Sequence, residues 1–117
     1  MPRANPVLQP RLRIVESGEA AFGPGKAELL RQIGATGSIR SAAARMAMSY
    51  NRAWTLVRDL NRRFRRPLVA AVRGGGTGGG AELTAEGRLV LRRYQGMERA
   101  CRAAARPDWR ALRRLLR

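Results

Sequence analysis

The sequence predicts a mainly α-helical chain with a small amount of β-structure, on three observations. Two short helices joined by a tight turn are expected between Gly37 and Asn61. Two short strand-forming runs lie on either side of a glycine-rich loop over 74–80, which indicates a β-hairpin. A long helical pattern then begins near Ala85. This order is that of a winged helix-turn-helix with a long C-terminal dimerisation helix.

The charge of the chain favours a polyanionic partner. It carries 24 Lys and Arg residues against 8 Asp and Glu residues, a formal net charge of +16. A GC-rich genome is an alternative reason for the choice of arginine over lysine, but it does not explain the scarcity of acids. So large a charge on 117 residues favours nucleic acid.

The residues that enzymes and metal sites need are missing or scattered. There is no histidine, Cys101 is the only cysteine, and the acids show no paired spacing. We therefore expect no enzyme activity, cofactor, metal or small-molecule ligand. No 18-residue apolar run and no signal segment is found, so we expect a soluble, cytoplasmic, nucleoid-associated protein with no membrane contact. Cys101 is expected as a buried apolar side chain, with a redox sensor as the alternative.

Three segments are predicted. Residues 1–10 contain three prolines and form a flexible tail. Residues 11–106 form the winged helix-turn-helix domain, including the dimerisation helix at 85–105. Pro107 ends that helix, because proline removes a backbone hydrogen bond in a helix interior. Residues 107–117 form a basic tail with its own short amphipathic helix.

Local patterns set the elements in chain order. Ser38, Ser49 and Thr84 are plausible N-caps, and Gly34 and Gly37 mark a helix end. The predicted elements are strands over 11–15 and 20–23, helices over 26–35, 39–47 and 50–64, strands over 68–73 and 81–83, and the helix over 85–105.

The helix over 50–64 has one apolar and one polar face. The apolar positions follow the spacing of a buried helical stripe; they are Ala53, Leu56, Val57 and Leu60. The polar positions recur on the opposite side; they are Asn51, Thr55, Arg58 and Arg62, with Tyr50 and Arg52 in the first turn.

Such a polar face suits a helix that reads DNA. Short polar side chains near the N-terminus can meet base edges, and longer cations further along can contact phosphates. An ordinary solvated helix face is the alternative interpretation. The predicted DNA-binding residues are Ser38, Arg40, Ser49, Tyr50, Asn51, Arg52, Thr55, Arg58, Arg62, Arg73 and Thr77.

The glycine-rich loop fits a wing tip better than a nucleotide site. A P-loop requires a Gly-Lys-Ser/Thr ending that is missing here, and a dinucleotide fingerprint requires a helix where a strand returns. Glycines let the backbone approach phosphates closely, with Arg73 at the base of the loop and Thr77 within it. A loop with no specific role is the alternative.

The last helix carries an apolar stripe that exceeds what a small core can cover. The stripe consists of Leu89, Val90, Tyr94, Met97 and Cys101. A dimer seam is favoured over a purely core role, and a homodimer would present two recognition helices to a palindromic site. The basic tail around Trp109 is expected to pack beside the dimerisation helix, with contact to DNA or to a membrane surface as the less favoured alternatives.

The stretch from Met48 to Trp54 is similar to the Ser-Tyr-x-x-Ala-Trp signature of the molybdate-responsive, ModE-type regulators, which are close to the LysR-type helix-turn-helix domains. Gly37-Ser38-Ile39 and Leu83-Thr84-x-x-Gly87 also fit. The resemblance covers roughly residues 12–97. It implies a winged helix-turn-helix that binds DNA and dimerises through its last helix.

The resemblance also implies individual roles. DNA contact would fall to Ser49, Tyr50, Asn51, Arg52, Thr55 and the wing, whereas Trp54 is expected to anchor the helix in the core. Ala47 stands where the family usually has glycine, so a distorted turn is expected. No molybdate-binding domain is expected in this chain, and molybdate sensing is therefore not implied.

The sequence thus predicts a sequence-specific transcriptional regulator acting as a homodimer on double-stranded DNA at a palindromic operator. The main alternative is an architectural DNA-binding protein that tolerates many sequences. A protein–protein adaptor without DNA affinity is a third possibility.

Overall fold

The computed structural model describes residues 5–73 and 80–117. The elements in these ranges are β1 (Ile14–Glu16), β2 (Glu19–Phe22), α1 (Pro24–Thr36), α2 (Ile39–Arg45), α3 (Tyr50–Arg63), β3 (Val69–Val72), β4 (Gly80–Leu83) and α4 (Ala85–Leu115). Strands β1 and β2 form one antiparallel hairpin, and β3 and β4 form another. The predicted winged helix-turn-helix with a long last helix is confirmed, and β3–β4 is the wing.

Helix α1 begins two residues earlier than predicted. Pro24 occupies the first helical turn, where its missing N–H has no intrahelical partner to lose. The helix ends at Gly37, whose φ of 72° is left-handed and whose N–H donates to the Ile33 carbonyl at 2.8 Å. Gly34 stays inside the helix, where a Cβ would lie 3.2 Å from Leu83 Cδ1. The wing therefore packs closely on the end of α1.

The core is built from leucines and alanines around a small aromatic cluster. Phe22 makes edge-to-face contacts with Tyr94 and Phe64, at centroid distances of 5.0 Å and 6.1 Å. The Tyr94 hydroxyl donates to the Leu12 carbonyl at 2.7 Å, which attaches the N-terminal segment to α4. The largest fully buried side chains are Phe22, Leu29, Leu30, Ile33, Leu60 and Leu68.

Helices α2 and α3 are joined by the turn over 46–49. Ala47 has a φ of 54°, a left-handed conformation that costs an L-residue about 1–2 kcal/mol. The Met48 N–H donates to the Ala43 carbonyl at 3.0 Å and closes the turn. Buried Ala42, Ala43 and Ala53 leave room for the two helices to approach each other. Ala47 therefore adopts the left-handed conformation that glycine accommodates more easily, and the turn keeps its closing hydrogen bond.

The wing is attached to the body at both ends. The Ala81 N–H donates to the Gly37 carbonyl at 2.9 Å, and a Cβ on Gly80 would lie 2.7 Å from that same oxygen. At the base, the Thr84 hydroxyl accepts the Gly87 N–H at 3.0 Å and donates to the Pro67 carbonyl at 2.6 Å. These bonds fix the wing against α1 and α4.

Helix α4 differs from the prediction, because it continues through Pro107 to Leu115. The predicted end at residue 105 and the separate helix of the tail are wrong. Pro107 removes one hydrogen bond to Ala103, but both residues are exposed and water can satisfy that carbonyl. The helix is long, yet no helix in the described ranges is apolar enough to cross a membrane.

The two ends of α4 have different surroundings. In its first half Gly87 and Tyr94 are buried, and Val90 and Leu91 pack against the core. Further along, Met97, Leu112 and Leu115 are exposed. Cys101, expected to be buried, is partly exposed. Residues 6–8, predicted as part of a flexible tail, line a groove with Trp109.

Candidate nucleic-acid interface

Helix α3 presents the predicted polar stripe to the surface. The stripe residues Asn51, Thr55, Arg58 and Arg62 are all exposed. On the opposite side Ala53, Val57 and Leu60 are buried, and Leu56 packs partly against the core. No acidic residue occurs between positions 50 and 58. The amphipathic interpretation of this helix is therefore correct.

Two of the predicted site residues begin the helices of the motif. The Ser38 hydroxyl accepts the Ser41 N–H at 3.0 Å, and the Ser49 hydroxyl accepts the Arg52 N–H at 3.1 Å. Both are N-caps as predicted. Each hydroxyl retains its own hydrogen, so each can still donate to an anion beside the positive end of its helix.

Thr55 has a more restricted chemistry than the sequence shows. Its hydroxyl donates to the Asn51 carbonyl at 2.8 Å, inside the helix. The oxygen is left with acceptor capacity, so towards a ligand Thr55 is best suited to accept a hydrogen bond. The exposed Asn51 amide offers both donors and an acceptor on the same stripe.

A groove of about 640 Å³ lies between α2, α3 and the wing. Arg40 and Arg58 line it, each stacked on an aromatic ring. The Arg40 guanidinium carbon is 4.5 Å from the centroid of the Tyr50 ring, and that of Arg58 is 5.0 Å from the centroid of Trp54. These are cation–π distances, and they place two cations on the walls of one groove.

Trp54 does not anchor the helix in the core, contrary to the expectation from the sequence. Its side chain is 43% exposed and lines the groove. The reason is helical phase: the adjacent inward positions are taken by Ala53 and Val57, which are buried. Trp54 is therefore a residue of the candidate interface that the sequence interpretation missed.

The remaining predicted residues divide into those that line this groove and those that lie elsewhere in the chain. Asn51, Arg52 and Thr55 share a neighbouring shallow depression on α3. Arg62 lies one turn after Arg58, and Arg73 is exposed where β3 ends. Ser38, Arg40, Tyr50 and Arg58 line the groove itself. Thr77 lies outside the described residues.

Asn61 connects the recognition helix to the wing, which the sequence interpretation also missed. Its side-chain oxygen accepts the N–H groups of Leu68 and Val69 at 2.8 Å and 3.1 Å, and its Nδ2 donates to the Val69 carbonyl at 3.0 Å. One amide thus holds the start of β3 against α3. A polar residue next to the buried stripe of α3 was the available signal.

Asp59 is the centre of an ion-pair cluster on α3. It binds Lys26 at 3.2 Å, Arg62 at 3.2 Å and Arg63 at 2.8 Å. The hydrogen bond from Arg63 is the main reason why the pKa of Asp59 falls to about 2, with further lowering by Lys26 and Arg62 and opposition from partial burial. The cluster fixes α3 to α1.

Arg63 extends this cluster to the first hairpin. Its guanidinium also binds Glu16 at 3.2 Å and Glu19 at 2.5 Å. Asp59 and Glu19 raise the pKa of Arg63 above its ordinary value. Three of the eight acids are therefore neutralised at the C-terminal end of α3. The N-terminal two turns, where the polar stripe begins, keep their positive charge.

The fold and this surface define a winged helix-turn-helix protein in which the cationic, exposed face of α3 is accessible to a nucleic acid. Residues 25–88 match the family described as bacterial regulatory helix-turn-helix protein, lysR family. The chain belongs to that family.

Curated relatives refine the comparison and confirm the ModE-type resemblance. The chain is 39% identical over 85 residues to the molybdenum-pterin-binding protein MopB of Rhodobacter capsulatus, covering 73% of this chain and 32% of MopB. It is 37% identical over 78 residues to the molybdenum transport protein ModE of Azotobacter vinelandii (67% and 29%). It is 35% identical over 71 residues to the DNA-binding transcriptional dual regulator ModE of Escherichia coli K12 (61% and 27%). The matches span between 27% and 32% of the length of these relatives.

Proposed function

We propose that this chain binds double-stranded DNA in a sequence-specific manner and regulates transcription. The observation that carries the proposal is the exposed, acid-free polar stripe on α3, held between the capped start of α2 and the wing. A helix of this kind, docked by its apolar face, is the element that enters the major groove in helix-turn-helix proteins.

The side chains divide into two roles under this proposal. Asn51 and Thr55 meet base edges, because an amide can pair with adenine and the Thr55 oxygen can accept from a base amino group. Arg58 and Arg62 contact phosphates further along the helix. Ser38 and Ser49 direct helix N-termini at the backbone, and Arg40, Tyr50, Arg52 and Arg73 complete the contact surface. Thr77 stays a proposed contact from the sequence alone.

We further propose that two copies pair through α4. The exposed apolar side chains that follow Tyr94 on α4, Met97, Leu112 and Leu115, would be covered by the same helix of a second copy. The dimer would place two α3 helices on successive turns of a palindromic operator. This activity needs no enzyme chemistry and no small-molecule ligand, and it operates on cytoplasmic, nucleoid DNA.

Two of the three names given above for the relatives, those of MopB and of the Azotobacter vinelandii ModE, contain the word molybdenum. For this chain we propose the DNA-binding role alone, since the chain overlaps only part of each relative. Chromatin immunoprecipitation in the native organism tests whether this chain regulates genes of molybdenum uptake. Enrichment at promoters of metal-uptake genes supports such a role, and a genome-wide binding pattern that lacks these promoters contradicts it.

Competition between a selected DNA site and bulk DNA tests the proposal. A site is first enriched from random duplexes, and its affinity is then measured against genomic competitor. A regulator should prefer its site by about 10³ or more. Near-uniform affinity would instead support an architectural protein, for which the net charge of +16 is the favouring observation. An affinity that does not change with salt would exclude both.

A further inference from the structure

Helix α4 carries a row of arginines that the proposed operator contacts do not use. Successive residues of an α-helix advance by about 100° around its axis, so the six arginines named at the end of this paragraph lie within an arc of about 80°. The row runs over about 32 Å of the helix. Its members, hereafter the arginine row, are Arg92, Arg99, Arg102, Arg106, Arg110 and Arg113.

The arginine row is exposed, and five of its six members lie away from acidic residues of the helix. All six side chains are exposed, and among the described residues none of them forms an ion pair. Of the two acids in this part of the helix, Asp108 lies on the far side of Tyr94 from the row, whereas Glu98 lies one turn before Arg102 and lines the same depression without an ion pair in the described part of the chain. The other five arginines have no acid three or four residues away along the helix. Their charges repel one another unless an anion lies alongside.

The row is centred away from the side of the helix that packs on the core, although Arg102, Arg106 and Arg113 also line the groove that Trp109 forms with residues 6–8. Tyr94 marks the side that packs on the core, and Met97 and Leu112 continue that side into the distal half. The arginine row is centred about 120° away from Tyr94. A second copy that covers Met97 and Leu112 therefore leaves the arginines accessible.

We propose that the arginine row is a second DNA-binding surface, which contacts the phosphate backbone of duplex DNA. The length of the row is close to one turn of duplex DNA, about 34 Å. Guanidinium groups form paired hydrogen bonds with phosphate oxygens, and a contact of this kind needs no particular base sequence. The surface therefore adds affinity and salt dependence rather than specificity.

Duplex DNA fits this surface better than an anionic membrane does. A helix that lies in a membrane interface inserts a continuous apolar face beside its cations. Here the apolar side of the first half of α4 is already occupied by the core through Tyr94, Val90 and Leu91. The cations extend across both halves, including Arg92 beside that occupied part. A rigid polyanion can follow the whole row, whereas a bilayer can reach only its distal part.

A matched pair of double variants tests the inference. R106Q/R113Q removes two charges from the row. R93Q/R114Q removes two exposed charges of the same helix that lie outside the row, about 140° and 80° from its centre. Affinity for a mixed-sequence duplex of about 30 bp, roughly three helical turns, is measured by fluorescence anisotropy at several salt concentrations. Because each lost phosphate contact lowers the slope of log affinity against log salt by about 0.9, R106Q/R113Q should lower it by up to about 2.

The control variant and two further measurements separate the outcomes. R93Q/R114Q should change the slope by less than half as much. Equal effects of the two variants, or no effect of either, overturn the inference. Loss of binding to phosphatidylserine vesicles by R106Q/R113Q, with an unchanged DNA slope, overturns it in favour of a membrane. R58A, on α3, tests the proposed function independently: if it alone weakens DNA binding, the arginine row fails and the recognition helix stands.

Discussion

The guanidinium carbon of Arg58 lies 5.0 Å from the centroid of the Trp54 ring, one turn earlier on the recognition helix. Trp54 is 43% exposed, so the indole has little role in the core and instead supports the cation at the groove. An exposed cation–π contact contributes about 0.5–1 kcal/mol, enough to favour one orientation of a flexible arginine. Trp54 is therefore a positioning residue for Arg58.

Trp54→Ala is expected to weaken DNA binding several-fold with little loss of stability. The arginine loses its support and must be ordered on binding, while removal of a partly exposed ring leaves the core intact. Trp54→Phe keeps an aromatic face and should retain most of the affinity. Anisotropy titrations and thermal unfolding measure the two effects. Unchanged affinity in Trp54→Ala would remove the positioning role.

Arg58→Ala and Asn51→Ala should weaken binding in different ways. Arg58→Ala should reduce affinity for all duplexes alike and lower the salt slope by about 1, since it removes a phosphate contact. Asn51→Ala should cost about 1–3 kcal/mol, mainly on the preferred site, since it removes a base contact. Titrations of both variants on the selected site and on random duplex measure this. Equal losses on both duplexes for Asn51→Ala would contradict its assignment to base reading.

Stability should fall in acid through the titration of Asp59. The pKa of Asp59 is about 2 in the folded protein, against an ordinary value of 3.8 for an unperturbed aspartate. The ion pairs of Asp59 therefore contribute their full stability above about pH 4, and this contribution is lost as the pH falls through 2. The loss should be on the order of 2 kcal/mol between pH 5 and pH 2. Asp59→Asn should lack this component in chemical denaturation at each pH. Parallel pH curves for the two proteins would show that the cluster does not stabilise the fold.

Ala47→Gly should stabilise the protein. Glycine adopts the φ of 54° without the steric cost of a Cβ, although its larger freedom in the unfolded chain offsets part of the gain. A net gain of up to about 1 kcal/mol is expected in chemical denaturation. Ala44→Gly is the matched control, because Ala44 is exposed inside helix α2 and glycine there should destabilise by about 0.5–1 kcal/mol. Destabilisation by both changes would argue against strain at Ala47.

Asn61→Ala should destabilise the wing and with it the domain. The substitution leaves the Leu68 and Val69 N–H groups without their acceptor, at a cost of about 1–3 kcal/mol. Asn51→Ala, the same change on the exposed side of the same helix, should stay within about 0.5 kcal/mol. Hydrogen exchange at the Val69 amide provides a local measure. Comparable stabilities of the two variants would refute the role given to Asn61.

The residue pattern predicts most of the fold because the helices are amphipathic and their ends carry strong signals. Ser38, Ser49 and Thr84 cap helices where predicted, and the buried stripe of α3 is largely as predicted. The rest depends on packing that periodicity does not contain. A proline rule predicts a break at Pro107, but on an exposed helix the lost hydrogen bond is replaced by water. Trp54 is apolar enough to suggest burial, yet its helical phase turns it towards the groove.

Only part of the candidate nucleic-acid interface could be predicted, because some of its residues are placed by tertiary packing. The polar stripe of α3 follows from spacing alone, whereas Asn61 acts through backbone groups of a strand that is close only after folding. The stacking of Arg40 on Tyr50 joins two helices, and no local pattern specifies it. Tertiary contacts, not sequence intervals, determine these positions.

The backbone hydrogen bond from the Ala81 N–H to the Gly37 carbonyl attaches the returning strand of the wing to the residue at which α1 ends. The orientation of the wing thus depends on α1, a helix that does not line the groove between α2, α3 and the wing. Substitutions that move the end of α1 would therefore change the angle between the hairpin and the recognition helix. Evolution could in this way retune how firmly such a protein grips its target without altering any side chain that faces it.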